Sequence, residues 1–305
     1  MAKKVNLLDY VKDTWNQFSA DSGFMMAGAL SYYTLFSIAP LLVILIATMG
    51  FVVESTDMES ALFQQLGSIM GQSQANELQK IVENVNDTSS GTIATIISFL
   101  TLLVSSTAVV IQLKETLNKS WNVIKDPDLG FKAIVIDRIL SLGFLLGLGF
   151  IFLVSMGLNA VAILLSNQVA SILPKSGEFA VAITSLAIGV FITFSMFYML
   201  FRFLPDAKLN RKDLLVGTVV TTVMFIIGKY AIGYYLGNSN INSTFGGAGA
   251  LATFMVWVYY NAIILIMGAE FTQVYAILNN RRVHPSEQAL KVHRVIKKDV
   301  DGSEL

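Results

Sequence analysis

The chain has 305 residues, of which 54% are hydrophobic and 14% charged, and its 21 basic and 21 acidic residues balance to zero net charge. A mean hydropathy of +0.63 excludes an ordinary soluble domain, and the balanced charge by itself points to no class of partner. The absence of cysteine excludes disulfides, thiolate metal sites and a cysteine nucleophile.

The chain starts Met-Ala-Lys-Lys and continues into an amphipathic stretch, which is not the pattern of a cleavable signal peptide. From Val5 to Ala20, Leu8, Val11, Trp15 and Phe18 recur at helical spacing, with Lys12, Asp13 and Gln17 elsewhere around the wheel. This predicts a short helix that either lies in the cytoplasmic membrane interface or packs on the cytoplasmic end of a helix bundle.

Six apolar runs follow, about Ala27–Val53, Gly91–Leu113, Ile139–Ser166, Phe179–Phe203, Leu214–Leu236 and Ala248–Leu278. Each meets the roughly 20 residues a helix needs to cross about 30 Å of hydrocarbon. Lys and Arg gather before the first run, in 114–138, in 204–213 and after the sixth, and they are nearly absent from the intervening loops. The positive-inside bias then puts both termini and the two basic loops in the cytoplasm.

The first span opens Ala27-Gly-Ala-Leu-Ser-Tyr-Tyr-Thr-Leu-Phe-Ser-Ile-Ala-Pro40. Tyr33, Thr34 and Ser37 share a face, and Pro40 removes a backbone donor, so a kink is expected near Phe36 to Pro40. The hydroxyls either satisfy freed backbone groups or line a cavity. The outer loop, 54–90, holds Glu54, Asp57, Glu59, Glu77, Glu83 and Asp87 against Lys80. Within it Leu62, Leu66, Ile69, Leu78, Ile81, Val82 and Val85 repeat at helical spacing, which predicts a two-helix cap. The inner loop, 114–137, is expected to extend the second span as a helix through Trp121 and to break at Asp126-Pro127-Asp128. Gly143-x-x-x-Gly147 and Gly233-x-x-x-Gly237 would permit close helix approach. In the tail, Ala289 to Lys298 reads as a helix.

Charge inside a bilayer asks for a partner or a role. Lys229 in the fifth span and Glu270 in the sixth are the two ionisable residues well inside apolar runs. At 1.5 Å per residue they sit at different depths, so a direct pair is not expected. Lys229 can snorkel outward among Tyr230, Tyr234 and Tyr235, whereas Glu270 is expected to meet Arg138 or Arg202 at the cytoplasmic ends of spans three and four. Tyr259 and Gln273 share the helical face of Glu270, so either a structural ion pair or a polar cleft fits. Ser243-Thr-Phe-Gly-Gly-Ala-Gly-Ala250 is read as a flexible, capping turn or as an anion-binding helix start.

Signals for catalysis are poor. His284 and His293 lie in the tail without carboxylates in metal-ligand spacing, and no GxSxG, Walker loop or HExxH occurs. No catalytic, cofactor-binding or metal residue is assigned, and no cofactor is expected.

The segments Ala27 to Leu42, Phe201-Arg-Phe-Leu-Pro205, Gly247 to Leu251, Trp257-Val-Tyr-Tyr260 and Gly268-Ala-Glu-Phe271, with Leu117-Asn-Lys-Ser-Trp121 and Gly228-Lys-Tyr230, together resemble the YihY/BrkB family of bacterial inner-membrane proteins. The likeness covers nearly the whole chain. It implies six spans, an inner-membrane location and no defined chemistry. Members have carried the label ribonuclease BN, but a metal-dependent nuclease needs a cluster of His and Asp ligands, which this sequence lacks.

The sequence therefore predicts an all-α, polytopic inner-membrane protein with six transmembrane helices, N-in and C-in. Residues 1–23 form a cytoplasmic amphipathic helix, 24–278 the transmembrane domain with a helical periplasmic cap, and 279–305 a cytoplasmic polar tail. The expected role is non-enzymatic transport or binding of a lipid-like or small anionic substrate in envelope homeostasis, and the alternative is a scaffold for envelope-biogenesis partners. Tyr33, Ser37, Pro40, Lys229, Tyr259 and Glu270 would form the substrate path or a structural polar core, with Arg138 and Arg202 as charge partners on the cytoplasmic side. Membrane lipids are expected partners, nucleic acid is not, and a homo-oligomer stays open.

Overall fold

The computed structural model describes residues 6–50, 60, 62–64, 66–67, 72, 75–76, 78–79, 92–130, 135–151, 153–155, 174–237 and 249–292. Helix α1 (Leu7–Ala20) starts where the Asp9 carboxylate accepts the Asn6 N–H at 3.0 Å. It stops at a sharp turn in which Ser22 takes φ 61°. Gly23 follows because a side chain there would run into the ring of Phe18, which is fully buried against Met26, Leu30 and Ile266. The expected single face of α1 is split. Phe18 enters the bundle, while Leu8, Val11 and Trp15 are exposed (79%, 60% and 49%). One edge of this helix therefore packs on the bundle, and among the described residues its other apolar edge stays largely uncovered by protein.

The long elements are α2 (Gly23–Gly50), α3 (Thr92–Ser120), α4 (Val135–Ser155), α5 (Pro174–Phe203), α6 (Arg211–Gly237) and α7 (Gly249–Leu278). Among the described residues, five helices are long and apolar enough to cross a membrane, within α2, α4, α5, α6 and α7. The 29-residue α3 packs along α2. Helix α7 is the hub and touches α1, α2, α3 and α6, while α5 packs on α6. Pro40 lies inside α2, and upstream of it the Ser31 and Thr34 hydroxyls donate to the carbonyls of Ala27 and Leu30.

Helices α6 and α7 approach closely. A Cβ on Gly217 would collide with Thr272, and one on Gly268 with Thr221. Each threonine folds back onto the glycine of its own helix, Thr221 Oγ1 donating to Gly217 O and Thr272 Oγ1 to Gly268 O at 2.7 Å. Two small-residue steps therefore interlock reciprocally, as apolar surroundings favour. Of the glycines singled out in sequence, Gly147 faces Met199. Among the described residues, Gly143 and Gly233 have no neighbour within 4 Å of where a Cβ would stand. Gly237 has no described side-chain surroundings.

In the 54–90 loop, Leu62, Phe63, Leu66 and Leu78 are buried against Leu42, Phe254 and Val258 at the ends of α2 and α7. Ile69, Ile81, Val82 and Val85 lie outside the described residues, as does the turn from Ser243 to Ala248.

At the opposite end of the bundle, where α3, α5 and α7 finish and α4 and α6 begin, the chain forms two small antiparallel sheets. Strand β1 (Val123–Lys125) pairs with β4 (Ala289–Lys291), and β2 (Ala207–Lys208) with β3 (His284–Pro285). The helix expected from Ala289 to Lys298 is thus corrected over its start. Val123 to Lys125, leaving α3, takes up the backbone groups of Ala289 to Lys291 in a ladder, and the alternation of buried Ala289 with exposed Leu290 suits a strand. Residues 293–298 lie outside the described residues. The break expected at Asp126-Pro127-Asp128 is present: α3 ends at Ser120, and a 3₁₀ turn spans Pro127–Leu129.

Candidate functional site

The sheet-bearing end gathers the polar side chains. Lys114, one residue past the apolar run of α3, is buried and donates to Asp137 at 2.7 Å and to Asp206 at 2.8 Å. Asp137 also takes Lys125 at 2.7 Å. Asp206 exchanges two hydrogen bonds with Asn118, accepting from its Nδ2 at 3.0 Å and donating its own N–H to Oδ1 at 2.8 Å. These groups line a cleft of about 380 Å³ between α3, β1 and the turn after α5. Pairing each carboxylate with a cation and a further donor is what makes such burial tolerable. Glu115 stands at the mouth of this cleft, where burial and then the charge of Asp137 push its carboxyl above the usual range.

Trp121 anchors the same end. Its buried indole N–H donates to the Ala269 carbonyl at 3.0 Å, its ring meets Phe201 edge-on, and its own carbonyl accepts Lys291 Nζ at 2.9 Å. The tail is further held by Ser286 N–H on Asp206 O, Val292 N–H on Asn122 O, and Arg281 on the buried Asp213 at 2.9 Å.

Beyond this clamp lie three neighbouring recesses. The first, about 540 Å³, is walled by Gln17, Asn122, Gln273, Arg282, His284 and Lys291. The second shares Arg282 and His284 and adds Arg281 and Lys208. The third continues from Lys208 to Arg202, Arg211 and Lys212. Among the described residues, no carboxylate lines any of the three. Burial holds Lys291 below the usual lysine range.

The residues picked out in sequence are spread through the bundle. Glu270 is fully buried on α7, one turn from the buried Gln273 that walls the first recess. Tyr259 is half-buried beside the Phe18 cluster. Ser37 is buried but Tyr33 is 41% exposed, so the polar stripe of α2 straddles the bundle surface, and Pro40 is half-buried. Lys229 is half-buried on α6, close to the exposed Tyr230. Arg138 donates to Val104 O at 2.8 Å and to the Thr107 hydroxyl, both on α3. Arg202 is exposed and walls the third recess. Sequence reasoning missed Lys114, Asn118, Asp137 and Asp206. The signal for them was position: one acid opening an apolar run and another following Pro205, both on the basic face of the protein. Among the described residues, no three His, Asp or Glu side chains converge as metal ligands.

Comparison with known proteins bears on this arrangement. The chain is 27% identical over 302 residues to a UPF0761 membrane protein of Psychrobacter sp. (strain PRwf-1), covering 96% of this chain and 54% of the relative, so it spans about half the length of that protein. A UPF0761 membrane protein of Mannheimia succiniciproducens is 22% identical, covering 81% of this chain and 83% of its own. A Bacillus subtilis (strain 168) protein named as ribonuclease-like, YfkH, is 20% identical over 92% of this chain and 98% of its own. No solved structure matches. The profile of the family described as Virulence factor BrkB matches residues 14–292, a stretch that takes in the second half of α1, every long helix and both tail strands, and the chain belongs to that family of membrane proteins.

Proposed function

We propose that this protein is a non-enzymatic, six-span inner-membrane protein that binds and moves a lipid-like or small anionic substrate. In this reading α3 is the sixth span and both termini lie in the cytoplasm, so the sheet-bearing end faces the cytoplasmic leaflet. The observation that carries it is the row of neighbouring recesses from Gln17 to Lys212, walled by Arg202, Lys208, Arg211, Arg281, Arg282 and Lys291 with no carboxylate among the described lining residues. Basic walls at the level where apolar helices end attract anionic headgroups and juxtamembrane anions. Gln273 at the wall of the first recess lies one helical turn from the buried Glu270, with Tyr259 further along the same helix, and in this reading the substrate would follow that face inward. The exposed apolar edge of α1 lies in the interface beside the recess.

The test is flux of a labelled anionic phospholipid in proteoliposomes containing the full chain, against empty vesicles and a Glu270→Gln variant. Flux above the empty control that falls in the variant supports the reading. Equal flux in empty vesicles sinks transport, and stoichiometric co-purification of a partner without flux would favour a scaffold. Metal-dependent RNA cleavage by the purified protein, lost on substitution within this chain, would overturn the non-enzymatic role.

A further inference from the structure

The first recess has a composition more specific than positive charge. Three of its six polar walls are carboxamides (Gln17 on α1, Asn122 after α3, Gln273 on α7) and three are basic (Arg282, His284 on β3, Lys291 on β4). Asn122 reaches its place because it takes φ 53° at the end of α3, an αL conformation that asparagine tolerates. The two tail strands carry His284 and Lys291, and Arg282 precedes the first of them.

Gln273 is 3% exposed, and among the described residues its Oε1 accepts no hydrogen bond. A buried acceptor left unmade costs free energy, which a ligand donor would recover. The bases ask for an anion, and the carboxamide oxygen asks for a hydroxyl or amine. Inorganic halide or sulfate meets only the first demand. Resting on the anionic-substrate reading above, we infer that this recess binds a phosphate ester bearing a hydroxyl or amine donor, its phosphate toward Arg282, His284 and Lys291 and its donor on Gln273 Oε1. Lys291 already spends one donor on the Trp121 carbonyl and keeps others for the phosphate. Burial disfavours its ammonium, and a phosphate beside it offsets that cost. The chemistry is shared by a phospholipid headgroup and a free polyol phosphate.

The experiment follows thermal unfolding of the full chain in detergent with sn-glycerol 3-phosphate, with glycerol as the uncharged control. In parallel it is measured in phosphatidylcholine nanodiscs with and without phosphatidylglycerol. A rise in midpoint with glycerol phosphate and with phosphatidylglycerol supports a general phosphate-ester site. A rise with phosphatidylglycerol alone supports a lipid headgroup site, and a rise with glycerol phosphate alone a soluble ester. No rise with either overturns the inference.

Gln273→Leu and Arg282→Gln are each expected to weaken binding about tenfold, the loss of one buried or charge-assisted hydrogen bond. Gln273→Leu should leave the ligand-free midpoint unchanged or higher, since it removes an unpaired buried oxygen. A Gln273→Leu protein that is less stable without ligand yet keeps the full ligand-induced shift would show a merely structural glutamine and overturn the inference. Arg282 is exposed, so its variant keeps the test alive if Gln273→Leu fails to fold. Full shifts in both variants, with flux intact, place the anion in another recess: this inference then fails and the transport reading stands. Neither flux nor shift in the wild type fails both.

Discussion

The interlocked step between α6 and α7 makes a sharp prediction. Alanine at an exposed helical glycine normally stabilises by about 1 kcal/mol through helix propensity. At Gly268 the added methyl would overlap the Thr221 side chain, with its hydroxyl nearest. Thr221 cannot easily yield, because it is β-branched and stiff at χ1 and its hydroxyl is bonded to Gly217 O at 2.7 Å. Overpacking of this kind costs about 1–3 kcal/mol, and losing the hydroxyl bond adds about 0.5–1.5 kcal/mol. Set against the propensity gain, Gly268→Ala should destabilise by about 1–3 kcal/mol, read as unfolding in mixed micelles. Adding Thr221→Ala removes the hydroxyl and methyl, the nearest of the obstructing atoms among them, and leaves only Cβ, so the double variant should be more stable than Gly268→Ala alone. Gly143→Ala, with open space around it, should be neutral or stabilising by up to about 1 kcal/mol. A Gly268→Ala protein as stable as the wild type, or a double variant no better than the single, would refute the packing argument.

Lys114→Met should destabilise by about 3 kcal/mol, because it strips the cation from the buried Asp206, while the half-buried Asp137 keeps Lys125. Adding Asp206→Asn should recover part of that loss, which a chemical unfolding series on both variants would detect. Trp121→Phe keeps a ring against Phe201 but loses the 3.0 Å bond to Ala269 O, costing about 1 kcal/mol or more; a midpoint equal to wild type would count against the clamp. Glu115 is raised above its ordinary value by burial and then by Asp137, so its folded form holds a proton that the unfolded chain has lost. Its contribution is therefore fully present below the ordinary carboxylate value of about 4.3 and is lost as pH rises through the raised folded value. Glu115→Gln should match wild type in acid and exceed it slightly at neutral pH. Parallel thermal-melting curves across that range would argue against the assignment.

The sequence showed the apolar runs with bounds close to those of the helices, because burial in lipid requires a long unbroken apolar stretch and tolerates little else. It located Glu270 as a buried charge, and Trp121 as the end of a helix, for the same reason. What it could not show were pairings across distant positions. Lys114 and Asp206 are far apart in the chain and look like ordinary loop charges until α3 and α5 end side by side. The tail strand at Ala289–Lys291 was misread because a three-residue ladder leaves no periodic trace, and its partner, Val123–Lys125, sits in a loop. The glycine steps misled in a different way. Gly143-x-x-x-Gly147 satisfies the small-residue pattern, yet the working pairs are Gly217 with Thr272 and Gly268 with Thr221, where threonine supplies the other half of the contact.

Asp206 joins the two halves of the polar end. Its side chain closes the Lys114 network, and its carbonyl accepts the Ser286 N–H that seats β3 on β2. Asn122 does similar work on the other sheet, taking the Val292 N–H while its side chain walls the first recess. The bases of that recess are therefore carried by a tail segment whose position depends on the ionic network beneath it. Loosening the network should weaken anion binding without touching a recess residue, whereas a rigid, independently seated tail would leave binding unchanged. Measuring the glycerol phosphate shift in Asp206→Asn separates the two, since the backbone bond to Ser286 survives that substitution and only the side-chain charge is lost. A full wild-type shift there would mean that the tail is seated by its own ladders, and that the buried charges stabilise the bundle alone.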